Sequence, residues 1–215
     1  MGDLFAAGGI VMWPLLGFSI LAVTLIIERL AFWSRLNRRQ QRVVRDVLMT
    51  YRREPAAVLP KLKQNLDLPM ARIFLEALEM QGATPDEFRL ALESATQAEL
   101  PLLKRFNTVF ETIINVSPLL GLLGTILGLI TSFASLTVGD VNSANAAAVT
   151  GGISEALIST ATGLIVAIFT LLFANAFRGL YKRQLALIQE YGGQLELLYR
   201  RHSGIARGGM PYAST

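Results

Sequence analysis

Cysteine is absent from all 215 residues, which removes disulfides, thiolate metal sites and cysteine nucleophiles from consideration. Histidine occurs once, as His202 in a basic stretch near the C-terminus, so neither a His-based triad nor a multi-His metal centre is expected. No Walker loop and no GxGxxG turn between strand and helix is present, so no motif supports nucleotide binding. Charge is also scarce and unevenly spread: 17% of residues are charged against 52% hydrophobic, which suits a membrane protein better than a single soluble globule. The chain is therefore read as a non-enzyme without metal or cofactor.

Three charge-free runs are present, each near or above the roughly 20 apolar residues that a spanning helix needs. The first lies between Asp3 and Glu28, the second between Glu111 and Asp140, and the third between Glu155 and Arg178. A secretory signal places positive charge ahead of its apolar core; here Asp3 precedes the first run and Glu28-Arg29 follows it, so that run reads as a retained span. The expected fold is an all-α membrane protein with transmembrane helices at 4–33, 112–138 and 153–178. Residues 139–152 form a short loop and the start of the third helix.

Lysine and arginine mark the sides. Loops on the cytoplasmic side hold an excess of them. The segment between the first and second runs carries Arg35, Arg38, Arg39, Arg42, Arg45, Arg52, Arg53, Lys61, Lys63, Arg72, Arg89, Lys104 and Arg105, and the segment after the third carries Arg178, Lys182, Arg183, Arg200, Arg201 and Arg207. None precedes the first run or falls within 138–152. The N-terminus is expected outside and the C-terminus inside. The formal net charge of +4 and pI near 9.7 are explained by this topology, and no nucleic-acid partner is expected.

The cytoplasmic region, 34–111, reads as helical. Pro55 and Pro69 suit first helical turns, and Gly82 suits a stop after "ARIFLEALEMQ". Thr84-Pro85-Asp86-Glu87 has the pattern of a capping box. From there a near-continuous helix is expected to about residue 137, roughly 80 Å long. A C-terminal helix is expected over 179–202, with a weak point at Gly192-Gly193, and a disordered tail over 203–215.

The specific chemistry sits in the second and third spans. Gly121, Gly124 and Gly128 follow small-residue spacing and predict close helix packing in lipid. At 100° per residue Glu155, Ser159, Thr162 and Val166 share one sector of the third span, so a carboxylate heads a hydroxyl stripe, with Thr160 to the side. An ionised acid in hydrocarbon is expensive, by at least a few kcal/mol, so Glu155 is the first functional suspect. A Glu in the first turn of a helix would merely complement the macrodipole, and that reading stays open while the start of the third helix is unknown.

"SPLLGLLGTILGLITSF" and "GGISEALISTATGLIVAI" closely resemble the paired membrane motifs of the MotA/TolQ/ExbB proton-channel family, most closely its ExbB branch. The resemblance implies a multi-pass protein of the bacterial inner membrane. A pentamer of the chain would surround two copies of a single-span ExbD/TolR-like partner and pass work to a TonB-like transducer. It implies that Glu155, Thr125 and Thr160 carry the function, to which the sector above adds Ser159 and Thr162 as the proton pathway. The alternatives are a TolQ-like role in envelope maintenance and a passive membrane scaffold that holds a single-span partner without moving ions.

Overall fold

The computed structural model describes residues 8–80, 82–135 and 143–208, and every regular element among them is helical. The order is α1 (Met12–Arg53), a 3₁₀ turn (Pro55–Ala57), α2 (Val58–Lys63), α3 (Pro69–Glu79), α4 (Pro85–Leu103), α5 (Asn107–Ala134) and α6 (Ser143–Gly208). Three helical stretches, Met12–Arg53, Pro85–Ala134 and Ala147–Ser203, are long and apolar enough to cross a membrane. The chain divides into two compact units, one of Met1–Arg29 with Phe106–Arg178 and the other of Leu30–Arg105 with Gly179–Thr215.

The first unit holds the apolar runs. The start of α1 packs through Val11, Met12 and Leu15 with Leu120 of α5, and further along Ala22 meets Ile113 of α5 and Val166 of α6, flanked by Phe18 and Val109. Leu119, Leu122, Ile126 and Ile130 of α5 and Leu157, Ile165 and Ile168 of α6 are exposed. Apolar side chains facing outward in such numbers fit a hydrocarbon surrounding rather than water. At the far end from Glu155, Arg178 pairs with Glu111 at 3.0 Å, and Phe110 and Phe177 lie 5.8 Å apart.

The second unit is a polar-surfaced bundle. Met70, Ile73, Phe74 and Ala77 of α3, spaced along one helical face, are all buried. Phe88 of α4 is fully buried and stacks on Tyr199 of α6 at 4.0 Å, while the Tyr199 hydroxyl donates to the Ala83 carbonyl at 2.7 Å. Arg72 grips Glu99 with two nitrogens at 2.6 and 2.5 Å, a bidentate pair. The hydrogen bond and charge of Glu99 hold the Arg72 guanidinium above its ordinary pKa.

Helix starts follow the sequence. Pro55 and Pro69 occupy first turns, and Gly82 takes φ 73° between α3 and α4. The capping box at Thr84 is formed in both directions: the Glu87 N–H donates to Thr84 Oγ1 at 3.3 Å, and the Thr84 N–H donates to Glu87 Oε2 at 2.7 Å.

Three readings need correction. The helix expected from 85 to about 137 is interrupted: α4 ends at Leu103 and α5 begins at Asn107, with Phe106 at φ 68° between them. A left-handed residue cannot continue a right-handed helix, so the break falls there, whereas α5 runs on through Pro118. Gly192-Gly193 is no break either, since α6 passes through both. The helix also runs past His202 to Gly208, because nothing in 203–208 forbids the turn; residues 209–215 of the expected tail, like 136–142 of the expected loop, lie outside the described residues.

Candidate functional site

The site is built where α5 and α6 touch through backbone. Gly121, Gly124 and Gly128 of α5 are all buried. A Cβ at Gly121 would stand 3.0 Å from Thr160 Cα, and one at Gly128 would stand 2.6 Å from the Gly152 carbonyl and 3.0 Å from Ala156 N. A Cβ at Gly163 would stand 2.5 Å from the Ser117 carbonyl. The helices thus meet backbone to backbone at these positions, as small residues allow in lipid.

The α6 side of this seam was not read from the sequence. It consists of Gly152, Ala156, Ser159 and Gly163, a small-residue spacing that emerges only when Ala and Ser are counted with Gly. Ser132 is buried and its hydroxyl bonds both Gly128 O at 3.0 Å and Val149 O at 3.1 Å, tying α5 to α6. Ser117, fully buried, has a hydroxyl with no partner among the described residues.

The five pathway residues separate into distinct surroundings. Ser159 is fully buried, its hydroxyl bonding Ala156 O at 2.9 Å and lying 3.4 Å from Gly121 O. The half-buried Thr160 donates across the seam to the same Gly121 carbonyl at 3.1 Å. Thr162 turns back to Ile158 O at 2.8 Å and Thr125 to Leu122 O at 2.5 Å, within their own helices. Such back-bonding satisfies a hydroxyl locally. Each hydroxyl oxygen still has lone pairs with which to accept.

Glu155 is half-buried and more than three turns inside α6, well past the first turn, which holds no acid. The macrodipole account of its position therefore does not apply, because that effect fades within the first turn. Its carboxylate lies against Gly9, at the turn leading into α1. No hydrogen bond joins it to Thr125, Ser159, Thr160 or Thr162 among the described residues. Nor is any group of three or more His, Cys, Asp or Glu side chains among those residues placed to hold a metal ion.

Apolar helices that meet through a glycine seam and carry a half-buried acid beside hydroxyl groups define a class: helical membrane proteins with a polar site inside the spans. Within that class the chain belongs to the MotA/TolQ/ExbB proton channel family, whose pattern matches residues 65–190. It is 72% identical over 195 residues to the biopolymer transport ExbB-like protein 3 of Synechocystis sp., covering 91% of this chain and 93% of that one. With ExbB-like protein 1 of the same organism it shares 42% over 199 residues, 92% of this chain and 78% of that one. With the biopolymer transport protein ExbB of Salmonella typhimurium it shares 37% over 100 residues, 45% of this chain and 39% of that one.

Proposed function

We propose that this chain is the proton-conducting subunit of a bacterial inner-membrane motor that couples the proton-motive force to TonB-dependent transport across the outer membrane. The observation that carries the reading is Glu155: an acid deep in α6, flanked by the seam, in a chain of a proton-channel family. A carboxyl group there takes up and releases protons, and Thr125, Ser159, Thr160 and Thr162 supply hydroxyls along the route. The similarity to ExbB proteins supports that branch.

In this reading the N-terminus faces outward and the arginine-rich stretch of α1 lies in the cytoplasm, consistent with the distribution of Lys and Arg. A pentamer of the chain surrounds two copies of an ExbD/TolR-like single-span protein, and a TonB-like transducer receives the work. Two partner copies inside a five-fold ring have no symmetric resting position, which favours stepwise rotation.

A passive scaffold is the second reading, favoured by the hydroxyls of Ser159, Thr160, Thr162 and Thr125, each already bonded to a backbone carbonyl. Proton flux into liposomes that hold the chain with its single-span partner, under an imposed potential, separates the two. Glu155→Gln keeps size and hydrogen bonding but cannot ionise. Flux is expected to vanish in this variant with assembly unchanged; equal flux in both proteins would take Glu155 off the proton route, and no flux above empty liposomes in either would leave the scaffold.

A further inference from the structure

We propose that Gly9 is a positioning residue for Glu155: the side chain missing from the turn into α1 leaves the space in which the carboxylate lies. The inference rests on the proton-carrying reading of Glu155 and adds what fixes the acid in place. The hydroxyl stripe of α6 does not do so, since none of its members bonds the acid.

The contact is extensive for a single backbone position. A Cβ built on Gly9 would overlap Glu155 Oε1, stand 2.7 Å from Cδ and 3.2 Å from Cγ. Three successive atoms of the acid side chain therefore line one residue of the turn. Gly9 also has φ 70°, a conformation that residues with a Cβ adopt at a cost. Its neighbour repeats the theme: a Cβ at Gly8 would stand 2.5 Å from Met12 Cγ and 3.3 Å from Ile158 Cγ2, one turn along α6 from Glu155.

The turn is itself held. The Met12 N–H donates to the Gly9 carbonyl at 3.2 Å, and Val11, Met12 and Leu15 pack as a buried cluster against Leu120 of α5. A seat anchored in this way to α1 and α5 transmits the position of both helices to a side chain of α6. Glycine is not required throughout the region: Gly17 of α1 and Gly151 of α6 have open space where a Cβ would stand. Any side chain at Gly9 displaces the carboxylate, whereas one at Gly17 touches nothing.

The test uses the full chain assembled with its single-span partner in liposomes, with two readouts. One is the rate at which a lipid-soluble carbodiimide modifies Glu155, followed by mass spectrometry; the other is proton flux. In Gly9→Ala the unseated carboxyl is expected to be modified faster and flux to fall by up to about a hundredfold, the loss that misplacing a reacting group by an ångström brings. Gly9→Asn, which tolerates the left-handed backbone but still carries a Cβ, is expected to behave like Gly9→Ala. Gly17→Ala is expected to match the wild type. Adding Glu155→Asp to Gly9→Ala retracts the carboxyl by one methylene and is expected to restore part of the flux, which a general structural defect would not allow.

Unchanged modification of Glu155 in both Gly9 variants would overturn the proposal. So would loss of the assembled complex in both while Gly17→Ala assembles, since Gly9 would then serve folding and not the acid. Wild-type flux that does not depend on Glu155 would instead overturn the proton-carrying reading, and the modification rates would still decide whether Gly9 seats the carboxylate.

Discussion

Phe106 shows what a single backbone angle does to this chain. Among the described residues it alone combines positive φ with a side chain, and the Arg29 guanidinium lies 5.3 Å from its ring centroid. Left-handed backbone destabilises a residue with a Cβ by roughly 1–2 kcal/mol, and a cation over an aromatic ring returns about 0.5–2 kcal/mol. Phe106→Ala and Phe106→Gly both lose the ring, so their difference isolates the backbone: the glycine variant is expected to be the more stable by about 1 kcal/mol in detergent denaturation. Glu87 supplies a pH-dependent counterpart. Hydrogen bonds from the Thr84 backbone and then its hydroxyl hold the Glu87 carboxyl below its usual pKa. Its contribution to stability is therefore present above the ordinary glutamate range and lost as pH falls through the lowered folded value. Melting temperature is expected to decline more steeply with acid in the wild type than in Glu87→Gln. This cap was legible in advance because its donors and acceptors are neighbours in sequence, whereas nothing local in the residues around Phe106 announces a left-handed turn.

Between elements, the α5–α6 seam sorts glycines by what faces them. Gly163→Ala forces a Cβ to within 2.5 Å of the Ser117 carbonyl and 3.1 Å of Gly121 Cα, both backbone atoms that cannot rotate away. Overpacking of this kind is expected to destabilise the pair by about 1–3 kcal/mol. Gly192→Ala meets nothing within 4 Å in the same helix and is expected to stabilise it by roughly 0.5–1 kcal/mol. Unfolding both variants under one set of detergent conditions checks the opposite signs. The α5 half of the seam was legible because three glycines stand on one face. The α6 half was hidden because helical angle places Ser159 in a polar stripe with Glu155, Thr162 and Val166. Helical angle alone reports which residues share a direction; it does not report what stands opposite, and opposite Ser159 stands Gly124.

For the molecule as a whole, membrane class and helical content were legible because they depend on composition and on the positions of charge along the chain. What was not legible is the set of contacts between residues far apart in sequence, and Gly9 against Glu155 is the clearest of these. The proposed orientation is checked by labelling, helped by the absence of native cysteine. Met49→Cys, at a position 65% exposed on α1, is expected to react with an impermeant maleimide only from the cytoplasmic side, and Ala147→Cys, exposed on α6, only from the opposite side. The contact between Gly9 and Glu155 also fixes an order of assembly. Translation delivers the glycine turn early and the acid about 150 residues later, after two spans have already been made, and closing so long a loop is slower than pairing α5 with α6 across their short connection. The carboxylate therefore meets its seat only after α6 has been made, when all three helices of the membrane unit are present.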